Sequence, residues 1–210
     1  MLHFKNFHKS YGSNTILRID DFTITAGIYW LRGPNGSGKS TLLKSIGGLL
    51  FFDGELLLDN TNLKRDSINY KRSVNFGDAE PTFPEFLTGN EMIALFEEAK
   101  NASAKQSDEL IEGMNMQSYL REPLGSYSSG MLKKLSLVLA FLGNPKLILL
   151  DEPLNTIDHV SLAALYQFIK RKHEKEEISF LLSSHQPLDK QALPQIKELL
   201  IDQQTINLLH

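Results

Sequence analysis

The residues Gly33, Pro34, Asn35, Gly36, Ser37, Gly38, Lys39, Ser40 and Thr41 fit the pattern G-x-x-x-x-G-K-[ST] at Gly33, Gly38, Lys39 and Ser40. These residue types at this spacing bind phosphate. The glycines permit backbone angles that a side chain would forbid, so successive N–H groups can turn inward onto one anion. A helix that begins at the end of the loop adds its positive N-terminus. Lys39 can reach the terminal phosphates, and the Ser40 hydroxyl can ligate Mg²⁺. Downstream, Asp151-Glu152 follow the apolar run Leu147-Ile148-Leu149-Leu150. In open parallel sheets ligands bind beyond the carboxyl ends of the strands. Asp151 is then placed to hold Mg²⁺ through its water shell, and Glu152 to orient or deprotonate an attacking water. Acidic residues at strand ends are common as solvent caps; the upstream phosphate loop is what gives this pair a chemical reading. His185 also follows an apolar stretch, so it falls on the same edge, within reach of a terminal phosphate. A lone histidine has many structural uses as well.

These side chains need a sheet to bring them together. Residues 2–9 alternate apolar and polar and read as a half-buried strand. Residues 10–14 read as a turn, and 16–25 and 28–31 as two further strands. The apolar run Ile28-Tyr29-Trp30-Leu31 leads into the phosphate loop, and Leu42, Leu43, Ile46, Leu49 and Leu50 follow it at helical spacing. Asp53-Gly54 reads as a turn, residues 55–58 and 73–76 as strands. Residues 78–88 are rich in Pro and Phe and read as irregular. Helices are expected over 90–100 and 107–116, a further helix up to Asn144-Pro145, then strand 147–150, helix 160–172, strand 178–182 and a last hairpin from 199–201 and 205–209. This is an α/β pattern. Residues 1–80 and 127–210 form the catalytic core with its β-subdomain, and 81–126 an inserted helical subdomain, all within one domain of 210 residues.

The chain carries 22 basic and 25 acidic residues, a formal net charge of -3. That balance argues against a nucleic-acid partner, which calls for a basic excess or stripe. There are no cysteines, so disulfides and thiolate metal sites are excluded. No signal peptide is visible and no apolar run approaches the ~20 residues of a membrane span. The expectation is a soluble protein, with any membrane role exercised through a partner.

Over nearly its whole length the chain resembles the ATP-binding subunit of an ABC transporter. The family's elements occur in order. Tyr11 resembles the aromatic that stacks on adenine; a turn aromatic covering the sheet edge would look the same. Residues 33–41 resemble the Walker A loop. Ser128, Ser129, Gly130 and Met131 resemble the signature at the head of a helix. Asp151 and Glu152 resemble the Walker B aspartate and catalytic glutamate. Asp158, in Leu154-Asn155-Thr156-Ile157-Asp158, matches the acidic position of the D-loop, and His185 the switch histidine. The resemblance implies a P-loop NTPase core with a mainly parallel sheet, an N-terminal antiparallel β-subdomain and an inserted helical subdomain. It implies ATP and Mg²⁺ as ligands and an ATPase that powers a membrane transporter through ATP-driven head-to-tail dimer closure. The signature then acts in trans, with Ser128 and the Gly130 N–H facing the partner's γ-phosphate; Ser128 can equally be a helix N-cap. It also implies a transmembrane permease subunit as partner, and a cytoplasmic location, peripheral on the inner face of the membrane.

Two positions depart from the pattern. The signature's first glycine is Ser129 and its closing glutamine is Met131, which places a Cβ where backbone meets phosphate. The glutamine expected after the strand at 73–76 is Ala79, flanked by Asp78 and Glu80, either of which could take over its metal contact. Phe83, Phe86 and Leu87 offer an apolar socket for a permease helix or, alternatively, packing within the helical lobe. The pairing, homodimeric or heterodimeric, stays open, as does a non-hydrolysing partner subunit or a soluble non-transport ATPase of this family.

Overall fold

The computed structural model describes residues 1–209. In chain order its elements begin with β1 (Leu2–Tyr11), β2 (Asn14–Ile24), β3 (Ile28–Arg32), α1 (Lys39–Ile46), β4 (Asp53–Leu58) and β5 (Thr61–Asn62). There follow α2 (Ser67–Ser73), β6 (Val74–Gly77), α3 (Gly89–Lys100), α4 (Ala104–Gly113), a short 3-10 turn (Leu124–Ser126) and α5 (Ser129–Phe141). The remainder is β7 (Leu147–Leu150), α6 (His159–Glu176), β8 (Ser179–Ser183), β9 (Lys197–Asp202) and β10 (Thr205–Leu209).

The alternating N-terminal segment pairs β1 with β2 and, on its other side, with β4, giving an antiparallel sheet in the order β2-β1-β4-β5. Leu2, Phe4 and Phe7 turn inward with Leu17 and Ile19 from β2. The continuous apolar runs form the second sheet, in the order β10-β9-β3-β8-β7-β6. There β9, β3, β8, β7 and β6 are parallel, and β10 closes one edge as the antiparallel arm of a hairpin. Strands apolar at every position need cover on both faces, and both are covered. On one face, α1 buries Leu42, Leu43 and Ile46 among residues of the antiparallel sheet and Leu31, Leu149 and Leu181. On the other, α5 and α6 share a core with Ile148, Leu150, Phe180 and Leu182, which also takes in Ile93, Leu110 and Met114 from the segment between β6 and α5. Burial of each such side chain contributes about 1.5–3 kcal/mol.

Asp53-Gly54 opens β4 and is not a turn. Gly54 adopts φ +85 opposite Asn6, itself at φ +48, where the β1–β4 register shifts between Lys5 and His8. A Cβ on Gly54 would collide with the Asn6 carbonyl. The dipeptide therefore marks a β-bulge, a feature with the same glycine requirement as a turn. The α2 helix lacks any expectation from apolar periodicity; Asp66 starts it by accepting from the Asn69 N–H at 3.4 Å. The α6 helix runs a turn beyond Lys172, until Glu177 at φ +55 ends it. Among the described residues no helix is long and apolar enough to cross a membrane.

Because Gly54 combines left-handed backbone with contact on the Asn6 main chain, Gly54→Ala is expected to lower the unfolding free energy by about 2 kcal/mol or more. The urea midpoint measures this, and an unchanged midpoint would mean that the bulge does not depend on glycine.

Candidate nucleotide site

The carboxyl ends of β3, β7 and β8 stand level, because Leu31 registers with Ser183 and Leu150 with Leu182. The phosphate loop leaves β3, Asp151-Glu152 leave β7, and Ser184-His185 leave β8. Their loops enclose a cavity of about 320 Å³ lined by Ile16, Asn35, Gly36, Gly38, Lys39, Ser40, Thr41, Glu152 and His185. Cavities of about 470 and 530 Å³ lie elsewhere, the first against Met1, Tyr29, Lys146 and Phe180, the second between α4 and α6. Neither brings together a helix N-terminus, a buried lysine and a buried carboxylate, and the smaller cavity does, with Lys39 and Glu152.

Gly38 is the N-cap of α1 at φ +101, and no side chain caps the helix. The free N–H groups of its first turn are thus left to a ligand. The Lys39 ammonium folds back onto the loop and donates to the Gly33 and Pro34 carbonyls at 2.8 and 3.1 Å. Burial lowers its pKa, while Glu152 and Asp151 act in the opposite direction.

Asp151 is 1% exposed. Its Oδ1 accepts from Ser183 Oγ at 2.5 Å, and Oδ2 is buried without a hydrogen-bond partner. The Ser183 hydroxyl in turn accepts from the Glu152 N–H at 3.0 Å. Glu152 sits at φ +45, a strained angle of the kind found at functional sites. Its Oε2 accepts from the His185 N–H at 3.3 Å and from Asn155 Nδ2 at 3.4 Å. Its Oε1 stands 3.2 Å from His185 Nε2, outside hydrogen-bond alignment, and is left without a donor. A buried, unpartnered carboxylate oxygen on Asp151, with the Ser40 hydroxyl in the cavity wall, is a donor set that fits hydrated Mg²⁺.

Three contributors to this geometry lay outside the sequence reading. Ser183 stands in the sequence just past the strand read at 178–182, and Ile16 as one more apolar position of β2. Lys133, on α5, is a third. It is 1% exposed, and burial lowers its pKa to about 8 against the pull of Asp151, Asp78 and Glu152. Its ammonium donates to the carbonyls of Asp78 and Asp151, each at 2.7 Å, and of Ala79 at 3.4 Å. The Asp78 carboxylate is engaged by Lys44 at 3.0 Å. Neither it nor Glu80 is among the residues lining the cavity.

Tyr11 ends β1, is 51% exposed and stacks under the Lys9 ammonium at 4.5 Å; Ile16, not Tyr11, lines the cavity from this hairpin. Ser128, Ser129, Gly130 and Met131 lie apart from the chain's own cavity. Ser128 is the N-cap of α5, its Oγ accepting from the Met131 N–H at 3.3 Å. A Cβ on Gly130 would stand 2.7 Å from the Thr156 carbonyl, so this turn abuts the loop that leads to Asp158. Asp158 caps α6 through the Ser161 N–H at 2.9 Å and pairs with Lys134 at 2.5 Å. Phe83 and Leu87 pack against the helical core, and Phe86 is 80% exposed.

A phosphate loop leaving the central strand, with an acidic pair at the end of the strand beyond its neighbour, defines a P-loop ATPase cassette. The ABC transporter family matches residues 17–155, and the chain belongs to that family. It is 33% identical to the cytochrome c biogenesis ATP-binding export protein CcmA of Legionella pneumophila, over 85% of this chain and 89% of that one. It is 31% identical to the ABC transporter ATP-binding protein YdbJ of Bacillus subtilis, over 88% of this chain but only 61% of that relative's length. The structure of the ATP-binding subunit of an ABC transporter superposes over 100% of this chain and 90% of its own, with a TM-score of 0.86 at 25% identity. The cassette MJ0796, in a dimeric post-hydrolysis state bound to ADP and Pi, has the same fold, with a TM-score of 0.83 at 22% identity over 100% of this chain and 99% of its own.

Lys134 and the Ser161 N–H hold the Asp158 carboxyl well below the usual carboxylate range. A depressed folded pKa stabilises above the unfolded value, about 3.9, and that contribution is lost as pH falls towards the folded value. Asp158→Asn keeps a capping oxygen but removes the charge. It is expected to be less stable than the parent at pH 7, with the gap narrowing below about pH 3; urea unfolding at both pH values reads this, and an equal gap at both would assign the effect to capping alone.

Proposed function

We propose that this chain binds Mg·ATP, hydrolyses it, and passes the accompanying dimer closure and opening to a separate transmembrane permease subunit. The observation that carries this reading is the convergence of Lys39, Glu152 and His185 on one cavity at the carboxyl ends of parallel strands, with Asp151 buried next to Glu152 and bonded to Ser183. The loop of residues 33–41 and the start of α1 hold the phosphates. Lys39 exchanges its two loop carbonyls for terminal phosphate oxygens. Tyr11 and Ile16, on the hairpin beside the loop, offer a surface to the adenine. Ser40 and Asp151 would hold Mg²⁺, which supplies charge neutralisation across the phosphate oxygens. Glu152 has an acceptor oxygen without a donor, so it can take a hydrogen bond from the attacking water and draw off its proton. His185, half-exposed at the rim, donates to the terminal phosphate once the pair with Glu152 opens.

In the same reading Ser128, Ser129, Gly130 and Met131 face the nucleotide of a second ATP-binding subunit, a copy of this chain or a related one. The N-terminus of α5 supplies the attraction for the anion. Gly130 is also held against the D-loop, so the signature and Asp158 meet the partner as one surface. Residues 81–126 act as the lobe that carries this surface, with exposed Phe86 available to the permease. The chain then works on the inner face of the membrane, peripheral through that permease. The names of the similar proteins, which include ATP-binding export and transport components, support this role.

The test is the solution mass of Glu152→Gln by light scattering, with and without Mg·ATP. Loss of the water-activating carboxylate is expected to lower kcat by at least 100-fold, about 2.7 kcal/mol in the barrier, and to double the mass in Mg·ATP. A monomer that binds ATP tightly yet never pairs would overturn self-association and favour a heterologous partner. Lys39→Ala is expected to weaken Mg·ATP binding by at least tenfold, read by titration with a fluorescent nucleotide; unchanged affinity would remove the loop from the site.

A further inference from the structure

Lys133 is fully buried, yet among the described residues it makes no ion pair; its hydrogen bonds go to main-chain carbonyls. A buried ammonium is costly unless its donors are fully used. Here they are spent at two places, the chain leaving β6 (Asp78 and Ala79) and the end of β7 (Asp151). The same two segments also meet directly, since the Asp151 N–H donates to the Gly77 carbonyl at 2.9 Å. Asp78 is held from its other side by Lys44, on the helix that starts at the phosphate loop. Contacts thus run from α1 through Lys44 and Asp78 to Lys133 on α5, and from Lys133 to the main chain of Asp151. Ala79, the position with no side chain capable of a polar link, sits inside this clasp.

We propose that Lys133 is a positioning residue, whose ammonium clasps the segment after β6 to the main chain of Asp151 so that a tilt of α5 reaches Asp151 and Glu152. This rests on the reading that those two carboxylates serve Mg·ATP. Lys133 does not line the cavity, so its effect is on where the carboxylates sit and not on how tightly the loop grips phosphate. The head of α5 is the surface proposed above to face a second subunit. The clasp therefore gives that surface a short mechanical route to the water-activating group.

Lys133→Met removes the donors and keeps the stem. Asp78→Asn, at a partly exposed position, weakens the Lys44 arm with little risk to folding. The purified full chain is assayed for ATPase kinetics and, with a fluorescent ATP analogue, for binding in EDTA and in Mg²⁺. Lys133→Met is expected to lower kcat at least tenfold with KM within twofold. Its affinity in EDTA should match the parent's, and the tightening brought by Mg²⁺ should fall at least fivefold. Asp78→Asn is expected to do the same more weakly, and the double variant to be no worse than Lys133→Met alone. If folded Lys133→Met keeps kcat and Mg²⁺ tightening within twofold, or raises KM alone, the proposal is overturned. Should Lys133→Met not fold, Asp78→Asn decides, and full kcat with full Mg²⁺ tightening in that variant overturns it. An unaltered chain without ATPase activity would overturn the functional reading instead, and Mg²⁺-linked binding would still decide the role of Lys133.

Discussion

Two adjacent carboxylates, Asp151 and Glu152, are buried at the end of one strand, and much of the surrounding structure exists to make that tolerable. Buried charge of one sign is unstable without partners. Here the compensation is spread over several elements. Ser183 bonds one oxygen of Asp151 and orients the Glu152 amide. Lys39 and Lys133 bring positive charge from α1 and α5, and His185 closes from β8. None of these groups fully satisfies the pair: one oxygen on each carboxylate has no donor. A site completed by its own side chains would have nothing left to offer a cation or a water. The residual deficit is the chemical capacity of the site.

The same economy governs the backbone. The first turn of α1 has no side-chain cap, whereas α5 and α6 are capped by Ser128 and Asp158 and α3 by Thr88 with Glu91. Of the other helices, α2 is capped by Asp66 and α4 lacks a side-chain cap as α1 does, but only α1 starts at a phosphate loop. Ser128 stands between these cases, since its hydroxyl serves Met131 and still lies at the surface that the signature presents.

Much of this was legible in the sequence where the determinant is local. The phosphate loop, the strand ending in Asp151-Glu152 and the α/β order follow from residue type and spacing along short stretches. The features that were not legible depend on partners distant in the chain. Gly54 looks like a turn glycine because the reason for it, the Asn6 carbonyl, lies on another strand. Lys133 looks like one more charged residue of an amphipathic helix, and only the fold brings Asp78 and Asp151 to it. Ser183 gains its role from register with β7. Tyr11 follows from the order of motifs, but the geometry puts Ile16 at the cavity wall and Tyr11 under the Lys9 ammonium instead.

The central position of β3 has a consequence for how the molecule is made. The strand that launches the phosphate loop is complete by Arg32, yet both of its neighbours, β8 and β9, lie between Ser179 and Asp202. Contacts so far apart in sequence form late, after a large loop-closure entropy has been met. During synthesis the loop therefore emerges early on an unsupported strand and acquires its fixed shape only when β8 and β9 arrive. Competence for nucleotide is in this way tied to synthesis through Asp202, and a product ending before β8 would carry the whole phosphate motif without a sheet to hold it.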